Sequence, residues 1–209
     1  MTVQITIPNK RESTDERRLA IALAARALIV EKGFEGLRTR DIAERVGINI
    51  ATLHYHVPTK KALIQLVAQT IERDFRQQEE RRPRKHLPAI ERLRIEFDDQ
   101  RETLVDNPAL VVAMSELMQR ARRDPDVAQI LQPLYDSWIL QLTDIVTAGR
   151  ADGSFRPDID PNAAANIIAG AIGNLWRQQG DCPDNFDNIT RELERSLLCP
   201  ANDNKDPAP

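Results

Sequence analysis

Two histidines flank a tyrosine in His54-Tyr55-His56, and four residues beyond His56 a lysine pair begins at Lys60. Side chains of these types hold a metal, move protons or donate hydrogen bonds to an anion, and their spacing decides among the three. On a helix, positions i and i+2 project about 200° apart, so His54 and His56 cannot face one ion without unwinding it. No candidate nucleophile has a base beside it, and GxSxG, HExxH, P-loop and GxGxxG patterns are missing. Neither catalysis nor a cofactor is expected. Cys182 and Cys199 have no metal spacing, and Asp158 and Asp160 stand where aspartates cap helices. What remains is donation to an anion.

The elements that position these groups lie in RTRDIAERVGINIATLHYHVPTKK, residues 38–61. Thr39 reads as an N-cap, and Ile42, Ala43 and Val46 follow at helical spacing as one buried stripe. Gly47 stops that helix, and Asn49 caps another running to about Val57. The unit is a helix-turn-helix. On its second helix Leu53 and Val57 share one side, while Ala51, Thr52 and Tyr55 lie roughly opposite with His54 and His56 flanking them. One face packs and the other can be read out. Pro58 closes the helix and Thr59 caps the next, whose first backbone amides and Lys60 ammonium suit a phosphate.

The 209 residues, 41% of them hydrophobic, suffice for one good core or two small ones. A formal charge of −3 argues against a polyanionic partner until its distribution is considered. Residues 1–61 hold 11 Lys/Arg and 7 Asp/Glu, a surplus of 4 that leaves the remainder at −7. The basic end coincides with the helix-turn-helix. With no apolar signal region and no run near the ~20 residues of a bilayer span, a cytoplasmic protein without membrane contact is expected.

Residues 1–14 read as a flexible basic arm. A first helix at about 15–31 has Ile21, Ala24, Ala25 and Leu28 at i, i+3, i+4 and i+7, with Gly33 as its C′ residue. A fourth helix from Lys60 to about Gln78 carries Leu63, Leu66, Val67, Thr70, Ile71 and Phe75. The segment 81–88, RRPRKHLP, reads as a hinge and a solvated loop. Five further helices are expected at about 88–105, 108–122, 125–150, 161–178 and 186–199, with Pro133 kinking or splitting the third of them. The fold class is all-α: a three-helix head at 15–61, a larger helical body at 62–200, and a disordered tail at 201–209.

Small residues on the helix at 161–178 and the apolar face of the helix at 186–199 suggest an intermolecular four-helix bundle. The interface expected is Ala164, Ile168, Gly170, Ala171, Leu175, Phe186, Ile189, Leu193 and Leu197, because an exposed stripe this apolar is otherwise a liability.

An alanine-rich helix ending EKGFEG, then TRDIAERVGI, then ATLHYHVPTKKAL, resembles the TetR family of bacterial transcriptional regulators over about residues 15–65. The resemblance implies a homodimeric repressor with an N-terminal DNA-binding domain and a C-terminal ligand-binding and dimerisation domain. It implies that Thr39 contacts a phosphate, that Arg40 reads a base, and that Ile50, Ala51, Thr52, Tyr55 and His56 lie in or beside the major groove of double-stranded operator DNA. Lys60 would anchor the backbone. His54 departs from the family, which usually has a phosphate-holding tyrosine there; imidazole can donate to phosphate, and Tyr55 can supply a displaced hydroxyl. Ile50 cannot hydrogen-bond a base edge but can pack on a thymine methyl.

The resemblance and the placement on the body's helices also suggest an effector pocket of Phe97, Arg101, Met114, Leu117, Met118, Trp138 and Asn174, suited to a small apolar or amphipathic ligand. Two other readings stand beside the ligand-responsive repressor: a DNA-binding regulator without an effector, and an all-α enzyme or carrier.

Overall fold

The computed structural model describes residues 13–178 and 183–199, and among these every regular element is helical. Residues 1–12 of the expected arm, the expected tail 201–209 and Cys182 lie outside the described residues. The chain forms two compact units, divided between Thr70 and Ile71.

In the first unit, α1 (Thr14–Lys32), a 3-10 turn (Phe34–Gly36), α2 (Thr39–Val46) and α3 (Ile50–His56) precede α4 (Lys60–Arg81), inside which the division falls. Ser13 opens α1 through a capping box: its hydroxyl accepts from the Glu16 amide at 3.1 Å, while the Glu16 carboxylate accepts from the Ser13 amide at 2.7 Å. The sequence reading placed this helix start one residue later. Ile21, Ala25, Leu28, Ile29, Ile42 and Leu53 are buried and hold the three helices together. Two ion pairs tie α1 to α2 at the surface: Lys32 with Asp41 at 2.6 Å, and Arg45 with Glu31 through two bonds of 2.7 Å.

Thr39 is not the cap of α2. The capping position belongs to Arg38, in an extended conformation without a side-chain bond, and Thr39 is the first helical residue. Its hydroxyl is left for other work.

The second unit contains the rest of α4 with α5 (Ala89–Asp106), α6 (Pro108–Ala121), α7 (Pro125–Asp152), α8 (Pro161–Arg177) and α9 (Pro183–Leu197). Asn107, Asp124 and Asp160 cap α6, α7 and α8, each followed by a proline whose missing N–H costs nothing at that position. Pro133 neither splits nor ends α7, which continues through it. Pro133 lies on the exposed side of the helix, where its ring meets no packed neighbour helix.

Leu93, Phe97, Leu142, Ile145, Phe155, Ile168, Ile172 and Phe186 form the core of this unit. Gly149 is required there, since a Cβ would stand 2.1 Å from the Phe155 ring. Several of the residues expected at an interface serve this core. Ala164, Ile168, Leu175, Phe186 and Leu197 are enclosed by the chain's own helices, and Ile189 and Leu193 pack partly buried against them. Of the nine, Gly170 and Ala171 remain off that core.

The segment after α4 is solvated except at Arg84 and, in part, at Arg82 and Leu87. Arg84 is buried and pairs with Glu96 and Asp99, while Arg82 reaches Asp99 and Glu102. Glu96 also accepts from the Trp138 indole at 2.8 Å and the Gln100 amide at 2.9 Å. Burial pushes the Asp99 carboxyl above its ordinary value, against the opposing pull of Arg84 and Arg82.

Candidate nucleic-acid interface

Gly47 makes the turn between α2 and α3 possible. Its φ of 74° and ψ of 33° are left-handed, and the Ile48 amide returns to the Ala43 carbonyl at 2.9 Å. Asn49 then starts α3, its side chain accepting from the Thr52 amide at 2.7 Å. Leu53 and Val57 are buried and fix the helix by one side. The opposite side is open: Tyr55 is 82% exposed and Ile50 41%, and Ala51 and His54 are exposed beside them. Thr52 and His56 are half-buried. The Tyr55 and His56 rings meet edge to face at 5.2 Å, and His56 Nδ1 is buried without a hydrogen-bond partner.

Next to this face is a notch of about 100 Å³ whose lining includes Thr39, His54, Thr59 and Lys60. Thr59 Oγ1 accepts from the Ala62 amide at 3.0 Å, capping α4 and leaving its hydroxyl proton to donate. Two hydroxyls, an imidazole and an ammonium at a helix N-terminus make a set of donors for a tetrahedral anion. Thr39, freed from capping, and His54, the departure from the familiar tyrosine, both belong to it. Arg40 is exposed at the start of α2, where its charge and those of Lys32 and Arg38 hold the Asp41 carboxyl low, the Lys32 hydrogen bond being the largest cause.

Lys60 has a partner the sequence reading missed. Its ammonium stands 4.3 Å from the centroid of the buried Phe34 ring. The signal was the aromatic directly after Gly33, in the 3-10 turn that returns the chain toward α2.

Two family models match the chain, one in each unit. "Bacterial regulatory proteins, tetR family" covers residues 21–67, and "BetI-type transcriptional repressor, C-terminal" covers residues 89–187. The chain belongs to the TetR family. Within that family, the chain is 41% identical over 51 residues to the class D tetracycline repressor protein of Escherichia coli, and to the class H protein of Photobacterium damsela subsp. piscicida. The match spans 24% of this chain and 23% of either repressor. The fold extends further than the sequence likeness. A TetR-family transcriptional regulator from Agrobacterium tumefaciens, 19% identical, superposes with a TM-score of 0.77 over 90% of this chain and 100% of its own. A Saccharomonospora viridis protein solved in complex with choline, 24% identical, gives 0.77 over 89% and 100%.

The seven residues expected to line an effector pocket all lie on helices of this TetR-family body. Phe97 and Leu117 are buried, and Trp138 packs on the core with its indole bonded to Glu96. Arg101 pairs with Asp187 at 2.9 Å, and Asn174 accepts from Arg177 at 2.9 Å. Met114 and Met118 are half-buried on α6. None of the seven lines the cleft of about 640 Å³ that opens between α4, α5 and α6. Among the described residues, no three His, Cys, Asp or Glu side chains converge as a metal would require, and no helix is long and apolar enough to cross a membrane.

Proposed function

We propose that the chain is a ligand-responsive transcriptional repressor that acts in the cytoplasm and binds a palindromic operator as a homodimer. The observation that carries this reading is the pairing of an open α3 face with a donor-lined notch in a head of positive charge. Phosphate contacts position a protein on DNA and base contacts specify the sequence. Thr39, His54, Thr59 and Lys60 are assigned to one phosphate. Arg40 is assigned to a base edge, its fork matching guanine O6 and N7, with Ile50, Ala51, Thr52, Tyr55 and His56 in or beside the major groove.

For the dimer, the face of α7 and α8 turned away from the core joins the stripe inferred from sequence as a contact surface. Leu140 on α7 is 70% exposed and Ile167 on α8 is 64% exposed. Near Ile167, a Cβ on Gly170 or Gly173 would meet nothing within 4 Å, so packing inside the chain does not explain these glycines. Close approach of another helix does. A small-molecule effector is supported by the body's match to the BetI-type model and by the choline held by the S. viridis protein.

The test is a gel shift on the DNA upstream of the protein's own coding sequence. A retarded band that a metabolite extract removes is expected. Retardation that no extract removes would leave a regulator without an effector, and no retardation at all would overturn the reading.

A further inference from the structure

We propose that the cleft between the second half of α4, the end of α5 and the start of α6 is a binding site for a lipophilic organic cation. As a statement about the effector this rests on the repressor reading above; as a statement about binding it stands alone. The cleft encloses about 640 Å³, within the range of small-molecule sites. Phe75 and Leu110 supply apolar lining, and the Phe75 ring is held by stacking on Trp176 at 6.1 Å. Four carboxylates line it, Asp74, Glu80, Glu102 and Asp106, against the single guanidinium of Arg81.

That guanidinium is engaged, since Arg81 binds Glu102 at 3.0 Å, and Arg82 binds the same carboxylate. By contrast, no hydrogen bond or ion pair among the described residues engages the side chains of Glu80 and Asp106. Negative charge beside low-dielectric surface concentrates cations and repels anions.

Three of the four polar neutral residues of the lining are already used, Gln77 being the exception. Gln78 donates to the Asp99 carbonyl at 2.8 Å and accepts from the Thr103 hydroxyl at 3.3 Å, and Asn107 accepts from the Leu110 amide at 3.3 Å. A ligand is therefore selected more by charge and apolar surface than by a pattern of hydrogen bonds. A bare metal ion does not fit, because no metal-holding group of side chains occurs among the described residues. The Phe75 ring can add a cation–π contact, which an organic cation of low hydration exploits best.

The experiment uses two probes of the same shape and opposite charge, tetraphenylphosphonium and tetraphenylborate, titrated calorimetrically into the full-length chain. Binding of the phosphonium at one site per chain, weakened by salt, is expected, with none for the borate. The double variant E80Q/D106N, on two exposed positions, should weaken phosphonium binding about tenfold or more while leaving helicity and melting unchanged. Equal binding of both probes, unchanged binding by the variant, or no phosphonium binding overturns the proposal. A gel shift without probe tests the regulator reading separately: operator binding without phosphonium binding sinks only this site, and the reverse sinks only the repressor.

Discussion

Lys60 holds its ammonium 4.3 Å from the centre of the Phe34 ring, so the cation at the start of α4 rests on an aromatic face at the mouth of the notch. The contact limits the freedom of a flexible side chain before any phosphate arrives. Lys60→Ala should weaken binding to all DNA sequences alike and lower the salt slope by about 1. Phe34→Leu keeps the site apolar and should give a smaller loss with an unchanged slope. Fluorescence anisotropy at several salt concentrations decides between these outcomes, and a sequence-selective loss in Lys60→Ala would remove the phosphate assignment.

Arg40 should behave differently, because a base contact discriminates. Arg40→Ala is expected to cost about 1–3 kcal/mol on the matched operator and to relax preference at one base pair. Affinities on matched and singly substituted operators measure it. If every operator weakens equally, Arg40 contacts the backbone instead.

Much of the head was legible from local sequence because its geometry is set by near neighbours. The left-handed Gly47 and the cap at Asn49 are properties of a few adjacent residues, and so are the buried Leu53 and Val57. Thr39 shows the limit of that reading: a good capping residue beside Arg38 cannot say which of the two stands outside the helix. What could not be read depended on distant partners. Nothing in residues 81–88 announces that Arg84 will be buried against Glu96 and Asp99. Nor does the apolar stripe of α9 reveal whether its own chain or a second copy covers it. The cleft lining combines residues of α4, α5 and α6 that no periodicity links.

Gly149 and Phe155 offer a test of the body's packing. A methyl group at Gly149 would stand 2.1 Å from a ring that is itself fully buried, and the ring has no solvent to move into. Gly149→Ala should destabilise the body by about 1–3 kcal/mol through overpacking. Thermal denaturation measures it, and adding Phe155→Leu should restore part of the loss. A single variant as stable as the parent would show that the ring has room to shift.

The assembly prediction concerns Ile167. Ile167→Glu places a charge on the proposed α7 and α8 face, where burial in an interface would cost several kcal/mol, but it leaves the solvent-facing side of a lone chain undisturbed. Light scattering should find monomers with unchanged helicity, and operator affinity should fall because two recognition helices about 34–36 Å apart are no longer joined. A dimer that survives this change places the interface elsewhere.

The ion pairs between α1 and α2 make a prediction about acid. The Lys32 hydrogen bond holds the Asp41 carboxyl below its ordinary value, and the Arg45 hydrogen bond does the same for Glu31. A carboxyl depressed in the folded state binds fewer protons there than in the unfolded chain, so it stabilises the fold above its ordinary titration range. That contribution is lost as the pH falls through the depressed folded value. Asp41→Asn should therefore lower the melting temperature of the head at about pH 7 and make a smaller difference at about pH 3, below the ordinary aspartate value, where the unfolded carboxyl is already taking up its proton. Both pairs are at the surface, so added salt should shrink the neutral-pH difference. Circular dichroism melts of both proteins at the two pH values provide the comparison, and an equal difference at both would mean that Asp41 acts through something other than its charge.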